Sequence, residues 1–287
     1  GVWVTRDETG SLGRVNTQIR QVDLKLATES SDFDVIQLDE TVLLHERGPD
    51  GRGGVVVPVD GRTGTRSEQP ITLPLDGQVS VGGQPGTTPT MAVLSPGTGS
   101  VWVGPVESFL GQTLGGDDPE ALTGAESTGT VEGATHVVVG SDGRARVYAP
   151  ESGEVVTFDV LGQEVERTQV QAVRDASAIE VATVGGRFAA LDGAESVLRI
   201  EGVDPVDLSG FGGSPRIQEA GPTNDDVLVA TDEGLVGVPL AGAAPRLVAE
   251  ASGSPARPVF LRGCAWGAWS GSGRSARLCE TDGSPVY

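Results

Sequence analysis

The chain has 287 residues, of which 37% are hydrophobic and only 4% aromatic. Its 40 acidic residues against 20 basic ones leave a formal charge of −20, which repels phosphate polyanions and argues against nucleic acid or an anionic lipid surface as a partner. Lys25 is the only lysine and sits in DLKLA, a context that suits neither Schiff-base chemistry nor a phosphate-binding GxxxxGK[ST] loop.

Forty-three glycines and 18 prolines punctuate the chain every few residues, a pattern of short strands and turns. In chain order, one unit recurs: a Val-rich strand, a Gly/Asp/Ser turn and a second apolar strand. It appears as VWVTRDETGSLGRVN from Val2, and as VLLHERGPDGRGGVVVPVD from Val42, between the strands DFDVIQL and PITLPL. MAVLSPGTGSVWVG follows from Met91, and HVVVGSDGRARVYAP from His136, with EVVTFDV behind it. FAALDGAESVLRI begins at Phe188, and VLVATDEGLVGVPL at Val227, flanked by PRIQEA and PRLVAE. The last, CAWGAWSGSGRSARLC from Cys264, is preceded by RPVFLRG.

These seven starts recur about every 44 residues, the length of a four-stranded propeller blade. The expectation is an all-β chain forming one β-propeller domain over residues 1–287, with seven blades favoured over six or eight. A β-sandwich or two smaller β-domains would also give regular strands and turns. Seven full blades would need about 19 residues more than the chain holds. The first hairpin has no strand before it, and the seventh has only the short SPVY after it. The closing strands are therefore expected beyond Tyr287, in a longer protein.

The only two cysteines lie in the last hairpin. A two-residue turn at Gly271 and Ser272 sets Cys264 opposite Cys279 on paired strands, within disulfide reach. Two free buried thiols are the rival reading. A disulfide implies an oxidising compartment, and so export. No CxxC motif is present, and a metal site would need more ligands than His45 and His136, which sit in distant repeats. The expectation is that no metal and no cofactor is bound.

Chemistry is hard to find. Trp3, Trp102, Trp266 and Trp269 could form a sugar-stacking platform, but Trp3 and Trp102 hold strand positions that packing would use. Trp266 and Trp269 differ by an odd number, which turns them to opposite faces. Asp32 and Asp34, Asp117 and Asp118, and Asp225 and Asp226 are the candidate glycosidase-type carboxylate pairs, each read more simply as a turn or solvated edge. The Asp-Gly steps in GPDGRG, GSDGRA and ETDGSP read as turns and not as calcium loops. No GxSxG elbow accompanies a histidine, and His45 and His136 read as surface or packing residues.

The segment VWVTRDETGSLGRVNTQIRQVD resembles the repeats of surface-layer-type propellers. GRVNTQI, SSDFDVIQ and GCAWGAWSGSG together resemble the propeller-like ectodomain region of actinobacterial surface proteins with fibronectin type III or Ig-like repeats. That resemblance covers most of the chain. It implies export, a transmembrane anchor before the propeller, β-sandwich repeats after it, and work at the cell surface. It carries no catalytic residue over. The SxDxGxTW box of sialidases, the GH…WD signature and the Trp-docking motif of quinoprotein dehydrogenases are missing.

The functional expectation is a non-catalytic, monomeric recognition or scaffold module outside a bacterial cell. Its partners would be cell-wall polysaccharide or another exported protein, and it would meet a membrane only through an anchor outside this chain. The alternative is a glycoside hydrolase or polysaccharide lyase with its site at the channel mouth. Carboxylates and an arginine converging there would favour the enzyme, whereas a mouth filled by Val and Gly would favour binding.

Overall fold

A computed structural model describes residues 2–6, 11–16, 21–28, 30–38, 40–115, 124–221, 225–261 and 263–279. Their strands fall into seven sheets taken in chain order. Sheet I holds Val2–Arg6, Ser11–Asn16 and Gln21–Ala27; sheet II holds Phe33–Leu38, Thr41–Glu46, Val55–Val59 and Ile71–Thr72. Sheet III holds Gln78–Gly82, Thr90–Ser95, Ser100–Pro105 and Gly129–Thr130; sheet IV holds His136–Val139, Ala145–Ala149, Glu154–Phe158 and Glu164–Gln169. Sheet V is Ile179–Val184, Arg187–Asp192, Val197–Ile200 and Val206–Asp207; sheet VI is Arg216–Ile217, Asp226–Thr231, Gly234–Pro239 and Arg246–Glu250. In sheet VII a broken first strand, Ser254–Pro255 and Val259–Leu261, pairs with Cys264–Ser270, which pairs in turn with Arg274–Cys279.

All seven expected hairpins are present, one per sheet. Their phase is not uniform. The first and fourth are strands one and two of their sheets, whereas the other five are strands two and three. Val2–Arg6 lies against Phe33–Leu38, just as the first strands of sheets III to VI lie against one another. It therefore takes the same position in sheet I as the first strands do in the later sheets. SPVY, residues 284–287, lies outside the described residues.

The sequence shows why the sheets stack. Strands such as TMAVLS, ARVYA and DVLVAT are buried along almost their whole length, because both faces are covered. Alternate side chains serve different neighbours. In sheet III, Ala92, Leu94, Val101 and Val103 pack against sheet IV, while Met91, Val93 and Trp102 pack against sheet II. Six apolar clusters join sheets I to VII pairwise in order. Fully burying each Val, Leu or Phe contributes about 1.5–3 kcal/mol, so every interface is a core of its own. Among the described residues no such cluster joins sheet VII to sheet I. Outer strands are polar instead: Glu164–Gln169, EVERTQ, is mostly exposed, and its charges resist pairing with another chain's edge.

One excursion departs from this order. After Ser100–Pro105 the chain makes a 3-10 turn at Val106–Phe109, then adds Thr113–Leu114 and Gly124–Ala125 to the outer edge of sheet II as short parallel strands. Only then does Gly129–Thr130 complete sheet III. The side-chain nitrogen of Trp102 donates to the Ala125 carbonyl at 2.9 Å, tying the excursion down.

Cys264 and Cys279 are opposed in the ladder and joined by a disulfide, with Cα atoms 4.0 Å apart. The positive φ of Gly271, 84°, is what the tight turn between their strands requires of its first central residue. The bridge closes a loop of 15 residues, so its reduction is expected to lower unfolding free energy by about 3 kcal/mol in the chain-entropy account. Urea titrations with and without reductant measure this directly. Identical midpoints would show that the bridge contributes nothing to stability.

Candidate functional site

The first strands of sheets II to V, with Glu219 and Ala220 just past the first strand of sheet VI, line one central cleft formed of two lobes of 360 and 380 Å³ that share Val79, Ser80, Val81 and Glu219. One lobe is walled by Asp34, Ile36, His45, Arg47 and Arg52 from sheet II; the other by His136, Ile179, Glu180 and Arg257. Carboxylates and arginines do converge here, in a wall otherwise made largely of valine and isoleucine.

What these polar groups do is link one sheet to the next. Trp3 N–H of sheet I donates to the side-chain oxygen of Gln37 in sheet II at 3.1 Å. Gly53 N–H of sheet II donates to the Gly77 carbonyl at 2.9 Å, just ahead of sheet III. Val139 N–H of sheet IV donates to Ser80 Oγ of sheet III at 2.9 Å. His136 Nε2 of sheet IV donates to the Ile179 carbonyl of sheet V at 3.1 Å. Glu180 of sheet V accepts from Ile217 N–H at 3.0 Å and from Arg216 Nε at 2.5 Å, both in sheet VI. Arg257, in the gap of the broken strand of sheet VII, donates to the carbonyls of Ile217, Gln218 and Val181 at 3.0–3.1 Å. It also pairs with Glu219 at 3.2 Å.

Both histidines are held in the same manner. A carbonyl can only accept, so Nε2 carries the proton in each, His45 donating to Gly53 at 2.9 Å. The neutral His136 ring then accepts the Thr135 hydroxyl at Nδ1, 2.8 Å away. Burial pushes both pKa values below the ordinary histidine range, against the opposing effect of those carbonyl bonds. Arg52 across the cleft lowers that of His136 a little further.

The other residues singled out from the sequence are not gathered into one place. Asp32 and Asp34 are bridged by Arg47 at 2.8 and 3.2 Å, which ties up the pair on a sheet edge. Asp226 binds Arg246, while Asp117 and Asp118 lie outside the described residues. Asp142 of GSDGRA accepts from Arg144 N–H and pairs with Arg146 at 2.8 Å, a turn as expected. Asp50 of GPDGRG is an exposed turn residue, and ETDGSP lies outside the described residues. Trp3, Trp102 and Trp269 are buried in three different interfaces, and only Trp266 is exposed. The four tryptophans form no common platform. Among the described residues no group of three or more His, Cys, Asp or Glu is placed to hold a metal ion.

The structure adds two features that carry no sequence signal. Between sheets IV and V, buried Tyr148 lies near the buried pair Arg199–Asp192, 3.6 Å apart. Desolvation, with Asp192 adding and Arg199 opposing, pushes the phenol up to about 12. Between sheets I and II, Trp3, Arg14, Gln37, Asp60 and Arg62 line an open cleft of 530 Å³, with Arg14 paired to Asp23 at 2.9 Å and bonded to the Gly61 carbonyl.

Two outcomes follow from the linking role. Arg257→Gln leaves three backbone carbonyls short of a donor and should cost roughly 1–3 kcal/mol in urea unfolding, since an unmet buried acceptor carries its desolvation penalty. Because the folded histidines titrate below their unfolded value of 6.5, the unfolded chain binds more protons as pH falls through that value. Their contribution is thus fully present above the unfolded value and is lost progressively as the pH falls below it, through the lowered folded values. The double variant His45→Gln, His136→Gln should flatten the stability profile over that window, and an unchanged slope would refute the assignment.

No family model and no curated protein matches this chain. Solved structures do match its fold. A streptogramin B lyase superposes with a TM-score of 0.58 at 11% identity, over 96% of this chain and 88% of that one. BamB from Moraxella catarrhalis gives 0.51 at 11% identity, over 94% and 78%. KlAtg21, in complex with the coiled coil of AgAtg16, gives 0.56 at 11% identity, over 85% and 77%. At such identities the likeness establishes architecture alone, and that architecture is the β-propeller.

Proposed function

We propose that this chain is a non-catalytic recognition module, a seven-bladed propeller that works outside a bacterial cell and binds cell-wall polysaccharide or another exported protein. One observation carries the reading. Among the side chains in the central cleft that could serve as acid, base or electrophile, His45, His136, Glu180 and Arg257 are each engaged with the backbone or ion partners of their own or a neighbouring sheet. A general base has to reach a substrate proton, and these groups have their lone pairs and protons directed into the wall. The disulfide supports an oxidising compartment, and the resemblance to actinobacterial surface proteins supports placement at the cell surface.

Propeller neighbours are found in both classes. KlAtg21 was solved with a coiled-coil partner, which supports a protein-binding use of the fold, whereas a lyase shares the same fold as an enzyme. The enzyme reading draws on Glu219, which is half-exposed in the cleft beside Arg257.

The deciding experiment incubates the oxidised protein with cell-wall fragments and soluble glycans, scoring retention and analysing products by mass spectrometry. Retention without new products is the expected result. Cleavage that disappears in Glu219→Gln would replace the binding reading with the hydrolytic one.

A further inference from the structure

Sheet VII differs in charge from the rest of the molecule. Residues 254–279 contain four arginines and neither aspartate nor glutamate, in a chain whose formal charge is −20. One face of this sheet, carrying Phe260, Ala265, Trp269 and Ala276, packs on sheet VI. Among the described residues no apolar cluster packs on the other face. Across its three strands run Val259, Trp266 and Arg277 as directly opposed neighbours, with Val259 38% and Trp266 44% exposed. Around them the side chains are small: Ala268, Ser270 and Ser275, all exposed.

The guanidinium carbon of Arg277 sits 5.1 Å from the centroid of the Trp266 ring, and one of its nitrogens reaches Cys264 Sγ at 3.6 Å. The disulfide and the indole therefore fix where this cation lies. Neither Arg277 nor Arg274 pairs with a carboxylate among the described residues, whereas Arg47, Arg66, Arg146, Arg167, Arg216 and Arg246 all do.

We infer that this face is a binding site for a short carboxylate-bearing saccharide. The proposal rests on the recognition reading above and names its ligand. A sheet face on which one half-exposed indole stands among small residues offers an apolar surface for a sugar ring, and the neighbouring guanidinium matches a sugar carboxylate with paired N–H donors. Charge complementarity fixes the sign of the ligand. Interactions between exposed charges are screened beyond about 8 Å at physiological salt, so Arg277 governs a short ligand on this face, while the acidic remainder of the molecule disfavours a long polyanion.

The test uses trigalacturonic acid and its neutral counterpart galactotriose, with the oxidised full chain, by calorimetry and tryptophan fluorescence. Because Trp3, Trp102 and Trp269 are buried, acrylamide quenching reports on Trp266. Acrylamide should quench Trp266 in the free protein, and trigalacturonic acid should protect it. Trp266→Ala and Arg277→Gln should each weaken binding by about tenfold or more, the size expected at a central anchor. Arg167→Gln, on the outer strand of sheet IV, should change nothing, and galactotriose should bind at least about tenfold more weakly.

Four results would overturn the proposal: no binding, equal binding of the neutral sugar, binding indifferent to both variants, or a Trp266 already shielded in the free protein because the chain or a protein partner covers it. The fluorescence arm needs no variant, so a misfolded mutant does not decide the matter. Capture of other glycans or proteins without dependence on Trp266 sinks this site and leaves the recognition reading standing. Cleavage of the oligosaccharide sinks that broader reading.

Discussion

A sheet cannot end without leaving a row of unpaired N–H and C=O groups, and stacking sheets face to face around a centre brings several such edges together. The molecule depends on how those inner edges are satisfied. The answer is a set of single side chains that each bond to another sheet, Gln37, Ser80, His136 and Glu180 to the adjacent one and Arg257 to two. Apolar clusters supply the bulk of the cohesion between sheets, yet they are non-directional and would tolerate sliding. The polar links fix register from sheet to sheet, and they claim the same residue types that catalysis would require.

This allocation engages much of the histidine, glutamate and arginine in the cleft in holding sheets together. Burial favours the neutral imidazoles, and the bonds from Nε2 to backbone carbonyls fix their tautomer. Arg257 spends its N–H groups on three carbonyls before it meets Glu219. The Arg277 guanidinium on the face of sheet VII, by contrast, pairs with no carboxylate among the described residues and is placed by the last tight turn and the disulfide.

Much of the fold could be read from local patterns. Apolar runs broken by Gly and Asp turns located all seven hairpins, because tight turns are encoded within a few residues. Parity alone separated Trp266 from Trp269, and the turn at Gly271 set the cysteine register. Phase within each sheet was less legible: QVSVG and IEVATV are short, half-buried inner strands whose role emerges only when neighbours stack on them. The inter-sheet links were not legible, since the bond from Arg257 to Val181 spans 76 positions and joins a side chain to a backbone atom, which leaves no residue pattern at either end. The same holds for Tyr148 and Arg199, brought together by the packing of two sheets.

The excursion through Thr113–Leu114 and Gly124–Ala125 bears on the order in which the molecule can be born. Sheet II receives its outermost strands from chain that follows the third strand of sheet III, and Thr72 N–H finds its acceptor only in Gln112. On a ribosome, the earlier sheet therefore waits with an open edge until Ala125 has emerged, while the later one is already half built. The two sheets mature as a unit, and that interval is when a nascent chain is most open to pairing with the wrong neighbour.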